Sequence, residues 1–327
     1  MSEYSKIIGH ENIISQLISA VSMSKINHAY IFNGPDGSGK NMLAKAFAQA
    51  LLCEKQGIEP PELPESPKLQ SIGKVELTEA ASLFENLDNI GEKHHVPVPE
   101  GMEYFGQNFG LIYYETTLKG KYNASPMYVK NVHDFADVYF DGKKKTSIDR
   151  TLYSVEGKTT LKDVIFKKKK GESSPFLMPA LSGERKIGVL VDTMGRVNYG
   201  ENMLDRKGIS DIYLGIQRLM NYDVWTLPLD NLDKLKYSSS VKKEEPVFLK
   251  GSFKTDSKAD CFVHLDGFNR GCVYINGFNL GRFWKVGPQK SLYIPGTLLK
   301  DENEIIVFNI GGYSKPTVSI TDKHNLG

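Results

Sequence analysis

Cysteine is scarce in this chain: Cys53, Cys261 and Cys272 are its only three, and no two are spaced as C-x-x-C. An odd count without paired spacing excludes a disulfide framework and fits a reducing compartment. Long apolar runs are also missing. None approaches the ~18 residues that a membrane-spanning helix needs. The opening "MSEYSKIIGHENIISQL" has early acidic residues and no unbroken apolar core, which argues against a signal peptide. The cytoplasm is therefore the expected address. A formal charge of only +2 gives no global reason to expect nucleic acid or acidic lipid as a partner. The lysine run Lys167 to Lys170 has no interleaved aromatics and reads as a solvated loop. His94 and His95 lack a third ligand at metal-binding spacing and read as linker.

What is present falls into two textures. Up to about residue 58 the patterns are helical. Ile13, Ile14, Leu17, Ile18 and Val21 recur at the spacing of one helix face. Met42, Leu43, Ala46, Phe47 and Leu51 do the same in an Ala- and Leu-rich stretch. Between these helices, "HAYIFNGPDGSGKN" reads as a strand and a glycine-rich loop. In such a loop, backbone N–H groups and the following helix N-terminus hold phosphates, a lysine meets the terminal ones, and a hydroxyl ligates magnesium. Gly34, Gly37, Gly39 and Lys40 suit that role; Asn41 stands where Ser or Thr is usual. Residues 59–95 then open on four prolines between Pro60 and Pro67 and read as linker and connecting segment.

Beyond it the signals are those of strands: "FGLIYYETTL", "ERKIGVLVD", "PVFLKGSFKT", "DCFVHLD", "KSLYIP" and "NEIIVFNI". Asp141-Gly142 and Asn276-Gly277 mark tight hairpins, since both pairs tolerate the positive φ that such turns require. The pattern predicts a mainly β chain with two jelly-roll or β-sandwich domains, 96–237 and 238–327, preceded by a small incomplete α/β phosphate-loop segment. Trp284 reads as an anchor of the second core, and Arg282 as a residue that stacks or pairs across a sheet edge.

Two resemblances attach to these textures. "IIGHENIISQLISAV" followed by "HAYIFNGPDGSGKNMLAKAFAQALLCE" resembles the start of bacterial clamp-loader subunits, above all the delta-prime subunit of DNA polymerase III. Cys53 falls where that family's zinc cluster begins, but the partner cysteines are absent, and the resemblance stops near residue 60. Hydrolysis of ATP also needs an acidic residue on a second strand and cations against the γ-phosphate. No such strand follows, so the resemblance implies at most weak binding of nucleotide phosphate. An ATP-binding replication fragment is the alternative reading of the whole chain.

"VDTMGRVNYG", "WTLPLD" and "GCVYINGFNLGRFWKVGPQKSLYIPGTLLKDENEIIVF" resemble the C-terminal β domains of glycoside hydrolase family 35, the β-galactosidases. Asp192 stands where that family more often has Glu. The resemblance implies that the tyrosine of the Met-Gly-Arg motif, Tyr199, lines the sugar pocket of a catalytic barrel, with Arg196 and Asn198 beside it as substrate-binding candidates. The family's two catalytic glutamates sit on a (β/α)₈ barrel N-terminal to these domains. Glu76, Glu79, Glu85, Glu115 and Glu184 match neither context, so no catalytic residue and no cofactor is assigned. The expected partners are a β-galactoside and a separately encoded barrel, and the chain reads as a chimera that does not turn over substrate by itself.

Overall fold

In a computed structural model the described residues are 4, 7–23, 25–35, 37–52, 68–150, 175–238 and 242–327. Cys53, the proline cluster 60–67 and the lysine run 167–170 lie outside them. Residues 1–67 and 68–327 form two separate compact units.

The N-terminal unit holds two helices, α1 (Glu11–Ser22) and α2 (Lys40–Leu52). Their apolar faces meet: Leu17 is buried against Leu43, Ala46 and Phe47, with Ile14, Ile18 and Val21 at the margin. Met42, Leu51 and Ile13, expected on these faces, are exposed. The strand expected over residues 28–34 is not formed. A strand requires a hydrogen-bonded neighbour, and no strand is present among the described residues of this unit. Tyr30 and Phe32 pack onto Phe47, while Ile31, on the opposite side of the extended chain, is 93% exposed. The unit is thus helical, not α/β.

In the larger unit every pairing between the named strands is antiparallel. Its first sandwich pairs a six-stranded sheet with a four-stranded one. The six strands, in sheet order, are β2 (Glu92–Val96), β11 (Tyr222–Leu227), β3 (Leu111–Tyr122), β8 (Leu181–Asp192), β5 (Phe135–Phe140) and β6 (Lys143–Asp149). The four are β10 (Gln217–Arg218), β9 (Asp211–Leu214), β4 (Ser125–Lys130) and β7 (Phe176–Met178). Ile112, Met127, Val138, Val189, Ile212 and Val224 fill the space between them. The second sandwich is one curled eight-stranded sheet. Its order is β15 (Phe278–Trp284), β14 (Phe268–Ile275), β17 (Glu302–Tyr313), β12 (Val247–Lys254), β1 (Gly73–Ser82), β18 (Thr317–Thr321), β13 (Cys261–His264) and β16 (Ser291–Ile294). Its core includes Val75, Leu249, Val263, Phe283, Ile305 and Ile320.

Both hairpin turns form as the sequence predicts: Asp141 and Gly142, and Asn276 and Gly277, all take positive φ. The connecting segment does not survive as linker, because β1, the short helix α3 (Leu87–Ile90) and β2 all lie within 68–96. β1 is a central strand, bonded to β12 on one side and β18 on the other. His94 and His95 sit on β2, where His95 Nδ1 is 3.0 Å from Asp223 Oδ1 and His94 stacks on Phe105.

A third core lies between the sandwiches. Tyr113, Tyr139 and Leu190 of the six-stranded sheet face Phe248, Tyr274 and Phe308 of the eight-stranded one. On β8, Ile187, Val189 and Val191 therefore point into the first sandwich while Leu190 points into the seam. Burial on both faces explains why "IGVLV", residues 187–191, is apolar throughout rather than alternating.

Candidate functional site

The motifs around Asp192 and Arg282, 90 residues apart in the sequence, meet at one end of this seam. Asp192, the last residue of β8, is buried, and its carboxylate accepts from both terminal nitrogens of Arg282 on β15, at 2.6 and 2.8 Å. This fork-to-fork geometry is the strongest form of the ion pair. Arg282 also reaches the Thr193 carbonyl and the Met194 sulfur. Beside it, the buried Arg270 of β14 donates to Asp192 at 3.4 Å and to Asp137 of β5 at 2.8 Å. The Arg270 guanidinium stacks on Phe135, 3.9 Å from the ring centroid. Asp137 also takes the Lys144 ammonium at 2.7 Å and the Ser147 hydroxyl at 2.6 Å. Burial by itself would raise the Asp137 carboxyl, but Arg270 and Lys144 prevail and hold it below the usual carboxylate range. Arg282 thus pairs across the seam, as its place in the sequence suggests.

A second ionic knot fixes the loop that leaves β8. Asp134 accepts from the Lys207 ammonium at 2.7 Å, from Arg150 at 2.8 Å and from the Met194 backbone N–H at 3.2 Å. Lys207 is buried to 2% exposure, a position a lysine tolerates only when paired. Burial opposes ionisation of Asp134 as well, and Lys207 and Arg150 again hold its carboxyl low. One turn further, Arg196 pairs with Glu103 and donates to the Asn108 carbonyl at 3.1 Å. Burial would raise Glu103; the Lys207 backbone N–H and Arg196 lower it.

Between the two knots is an open cavity of about 290 Å³, with Phe135, Met194, Val197 and Trp284 among its apolar walls and Asp134 and Lys207 among its polar ones. Trp284 therefore lines a cavity, and Phe283, at 2% exposure, is the core anchor in its place. Of the three expected sugar-contacting residues, Arg196 lines the cavity. Asn198 and Tyr199 are exposed beyond it, Tyr199 at 88%. Asp137, Asp134, Lys207 and Glu103 were not singled out from the sequence. The usable signal was Asp137 itself, a carboxylate inside the apolar strand "FADVYF".

Chemically this end of the molecule is built to hold and not to react. A glycosidase needs one carboxyl kept protonated as an acid and another poised as a nucleophile. Asp134 and Asp137 are held ionised and Asp192 is clamped by arginine. The thiols of Cys261 and Cys272 are pushed up to about 11, chiefly by burial, which removes thiolate chemistry. Among the described residues no group of three or more His, Cys, Asp or Glu side chains is placed to hold a metal.

In the N-terminal unit, Gly37 and Gly39 adopt φ of 80° and 77°, a backbone open to a ligand on its Cβ side. Gly34 precedes them, and Asn41 is exposed in the first turn of α2. The Lys40 ammonium donates to the Pro35 carbonyl of its own loop at 3.0 Å, and His10 Nε2 lies 2.7 Å from the Ser38 carbonyl. A cavity of about 410 Å³ opens beside the loop, with Tyr30, Phe32, Ser38 and Lys40 on its walls.

Comparison with known proteins finds three family models along the chain. The family model for the β-galactosidase first all-beta domain matches residues 159–229, and that for the β-galactosidase galactose-binding domain matches 246–304. A model for the DNA polymerase III delta subunit matches 9–92, running past the expected stop near residue 60 and across β1, which belongs to the larger unit. A β-galactosidase of Xanthomonas manihotis is 29% identical over 88% of this chain and 47% of its own length. Beta-galactosidase 8 of Oryza sativa subsp. japonica is 31% identical over 84% of this chain and 45% of its own. The human beta-galactosidase-1-like protein 2 is 34% identical over 75% and 37% respectively. The chain thus spans less than half the length of these relatives. In order, the chain is similar to the DNA polymerase III delta subunit over residues 9–92 and to the first all-beta and galactose-binding domains of β-galactosidases over residues 159–229 and 246–304.

Proposed function

We propose that residues 68–327 are an accessory module that serves β-galactoside hydrolysis only together with a catalytic barrel supplied from outside these residues. One observation carries this reading. The loop after β8 has a rigidly tied base and an unpartnered tip, where Tyr199, Met203 and Leu204 are 88%, 54% and 92% exposed. Ion pairs at Asp134, Asp192 and Glu103 fix the base of this loop, and among the described residues its tip stays exposed. Apolar side chains held out in this manner mark a surface made to be covered. In this reading the barrel covers the tip, and Tyr199 lends its ring to the sugar pocket, with Arg196 setting the loop from behind. Asn198 supplies an amide beside it.

The test is complementation. The catalytic barrel of the Xanthomonas manihotis relative, expressed separately, gains activity on a chromogenic β-galactoside when this chain is added. Tyr199→Ala removes that gain yet leaves the thermal midpoint unchanged within about 0.5 kcal/mol, as befits an exposed side chain. An equal gain from Tyr199→Ala, or no gain from the parent chain, contradicts the proposal.

For the N-terminal unit the reading goes no further than weak binding of nucleotide phosphate at Gly34–Asn41. Lys40 must first leave the Pro35 carbonyl. The match to the delta subunit supports the alternative, an ATP-binding replication fragment, for this unit alone. The reduced thiols of Cys261 and Cys272 suit the cytoplasmic address expected from the sequence.

A further inference from the structure

One stretch of the N-terminal unit has its side chains anchored and its backbone unpaired. Residues 28–34 run extended, with Tyr30 and Phe32 half-buried and the alternate Ile31 and Asn33 exposed. Two ring contacts hold the stretch in place. Tyr30 meets the Phe47 ring edge-on, with centroids 4.7 Å apart, and Phe32 lies 6.4 Å from the same ring. The Tyr30 hydroxyl accepts from the Asn27 N–H at 3.1 Å, which fixes the entry to the stretch. Among the described residues, however, no backbone N–H or C=O of 28–34 takes part in a hydrogen bond.

An extended backbone with a free row of donors and acceptors is a template for another strand. Main-chain bonding is the means by which such an edge takes up a partner. A bare two-stranded ribbon is marginal in water, and packing against a helix removes that limit. Here the helix is already in place, because Phe47 belongs to α2. The edge is thus preorganised, which spares association an ordering cost. The cavity of about 410 Å³ borders Tyr30, Ile31, Phe32 and Asn33, with Ile13 and Leu17 of α1 on its other walls, so open space lies beside the stretch.

The stretch is complementary to its own copy. In an antiparallel pairing about a two-fold axis at Ile31, each Tyr30 falls opposite Phe32 of the second copy, on the side that carries Phe47. Aromatic pairs directly across two strands are favourable. On the other side Ile31, now 93% exposed, meets Ile31 of the second copy. Between residues 25 and 35 the basic side chains are Lys25 and His28, and no acidic one is present. This register sets His28 against Gly34, so no charge faces its like across the pair. A two-fold contact of this kind closes at two copies.

We infer that residues 28–34 are a dimerisation edge, which forms a two-stranded antiparallel sheet with the same residues of a second copy of this chain, centred on Ile31. The pairing is independent of the loop after β8 and of any catalytic barrel.

A short edge buries less than a standard interface, so a dissociation constant on the order of 10 μM is expected. Sedimentation equilibrium of the full chain across that concentration should show monomer passing to dimer and no further. Ile31→Lys sets two ammonium groups opposite each other and removes an apolar pair, weakening the dimer by about tenfold or more. Ile31→Glu alone has the same effect. An equimolar mixture of the two variants regains association, because this register brings position 31 against itself. Ile31 is exposed, so an unchanged far-ultraviolet circular dichroism spectrum confirms that both variants fold. A chain that stays monomeric overturns the inference, as does growth beyond two copies. A dimer indifferent to Ile31→Lys also overturns it, since the contact then lies elsewhere on the chain. Failure of the mixed variants to associate excludes the two-fold register and overturns it as well. No sugar or barrel enters this readout, so its failure is distinct from a failure of complementation.

Discussion

Replacing Arg270 by methionine is expected to destabilise the larger unit by about 3–5 kcal/mol, a fall in Tm on the order of 10 °C. Arg270 is 3% exposed and bridges Asp137 and Asp192, which are 0% and 2% exposed. Methionine preserves much of the packing on Phe135 but leaves Asp137 with Lys144 alone and Asp192 with Arg282 alone. The cost is that of buried carboxylates short of a counter-charge, which is larger than the net value of the intact pairs. Arg282→Met is expected to cost less, since Arg282 is 35% exposed and water partly replaces it.

The pH dependence identifies the cause. The folded Asp137 carboxyl lies below its unfolded value of ~3.9. Its pairing therefore stabilises the fold fully above that value, and this stability is lost as pH falls through the lower folded value. The difference between parent and Arg270→Met should accordingly be largest near neutrality and shrink below about pH 4, as the Asp137 carboxyl protonates. Denaturant melts across pH 3–7 measure this. A difference that stays constant with pH would show that lost packing, not lost charge pairing, is responsible.

Gly296→Ala is the second substitution expected to act strongly, through backbone contact. A Cβ at Gly296 would lie 1.8 Å from the Lys258 carbonyl oxygen and 2.7 Å from its carbon. No side chain can rotate away to relieve this. The neighbouring backbone is itself pinned, because Asp260 accepts from the Gly296 N–H at 2.7 Å and from the Tyr293 hydroxyl at 2.6 Å. A loss of about 3 kcal/mol or more follows, at the upper end of what overpacking costs. Gly277→Ala makes the useful comparison. Its φ of 82° disfavours a Cβ, yet nothing lies within 4 Å of one. Conformational strain alone is then at issue, about 1–2 kcal/mol. Urea melts should rank Gly296→Ala below Gly277→Ala, and the reverse order would mean that the Lys258 backbone yields more easily than this packing implies.

The elements legible in the sequence were those fixed by local chemistry. Asp141-Gly142 and Asn276-Gly277 demand positive φ and produced their turns. The strands after residue 96 follow from their composition, and the motif around Arg196 pointed to the loop that now forms the candidate site. What was not legible depends on partners distant in the chain. The strand expected at residues 28–34 had the right composition but, among the described residues, no neighbour to bond. Residues 73–82 carry charge at Lys74, Glu76 and Glu79 and follow a proline cluster, so they looked like linker until β12 and β18 closed on both sides.

Trp284 was misread for a different reason. The β14–β15 pairing slips between Val273 and Tyr274, and this irregularity breaks the simple in-out alternation of β15. Phe283, not its larger neighbour, then faces the core. The ionic seam was the least accessible feature. Asp192 and Arg282 are 90 residues apart, and only the assembled sheets bring them together.

The most direct measurement is hydrolysis of a chromogenic β-galactoside by the purified full-length chain at high protein concentration. The arrangement around Asp134, Asp137 and Asp192 ties each carboxylate to lysine or arginine and supplies no acid–nucleophile pair, so turnover should equal the buffer blank. Turnover well above the blank, abolished by a substitution within residues 68–327, would contradict the account, because these domains would then contain a catalytic pair of their own.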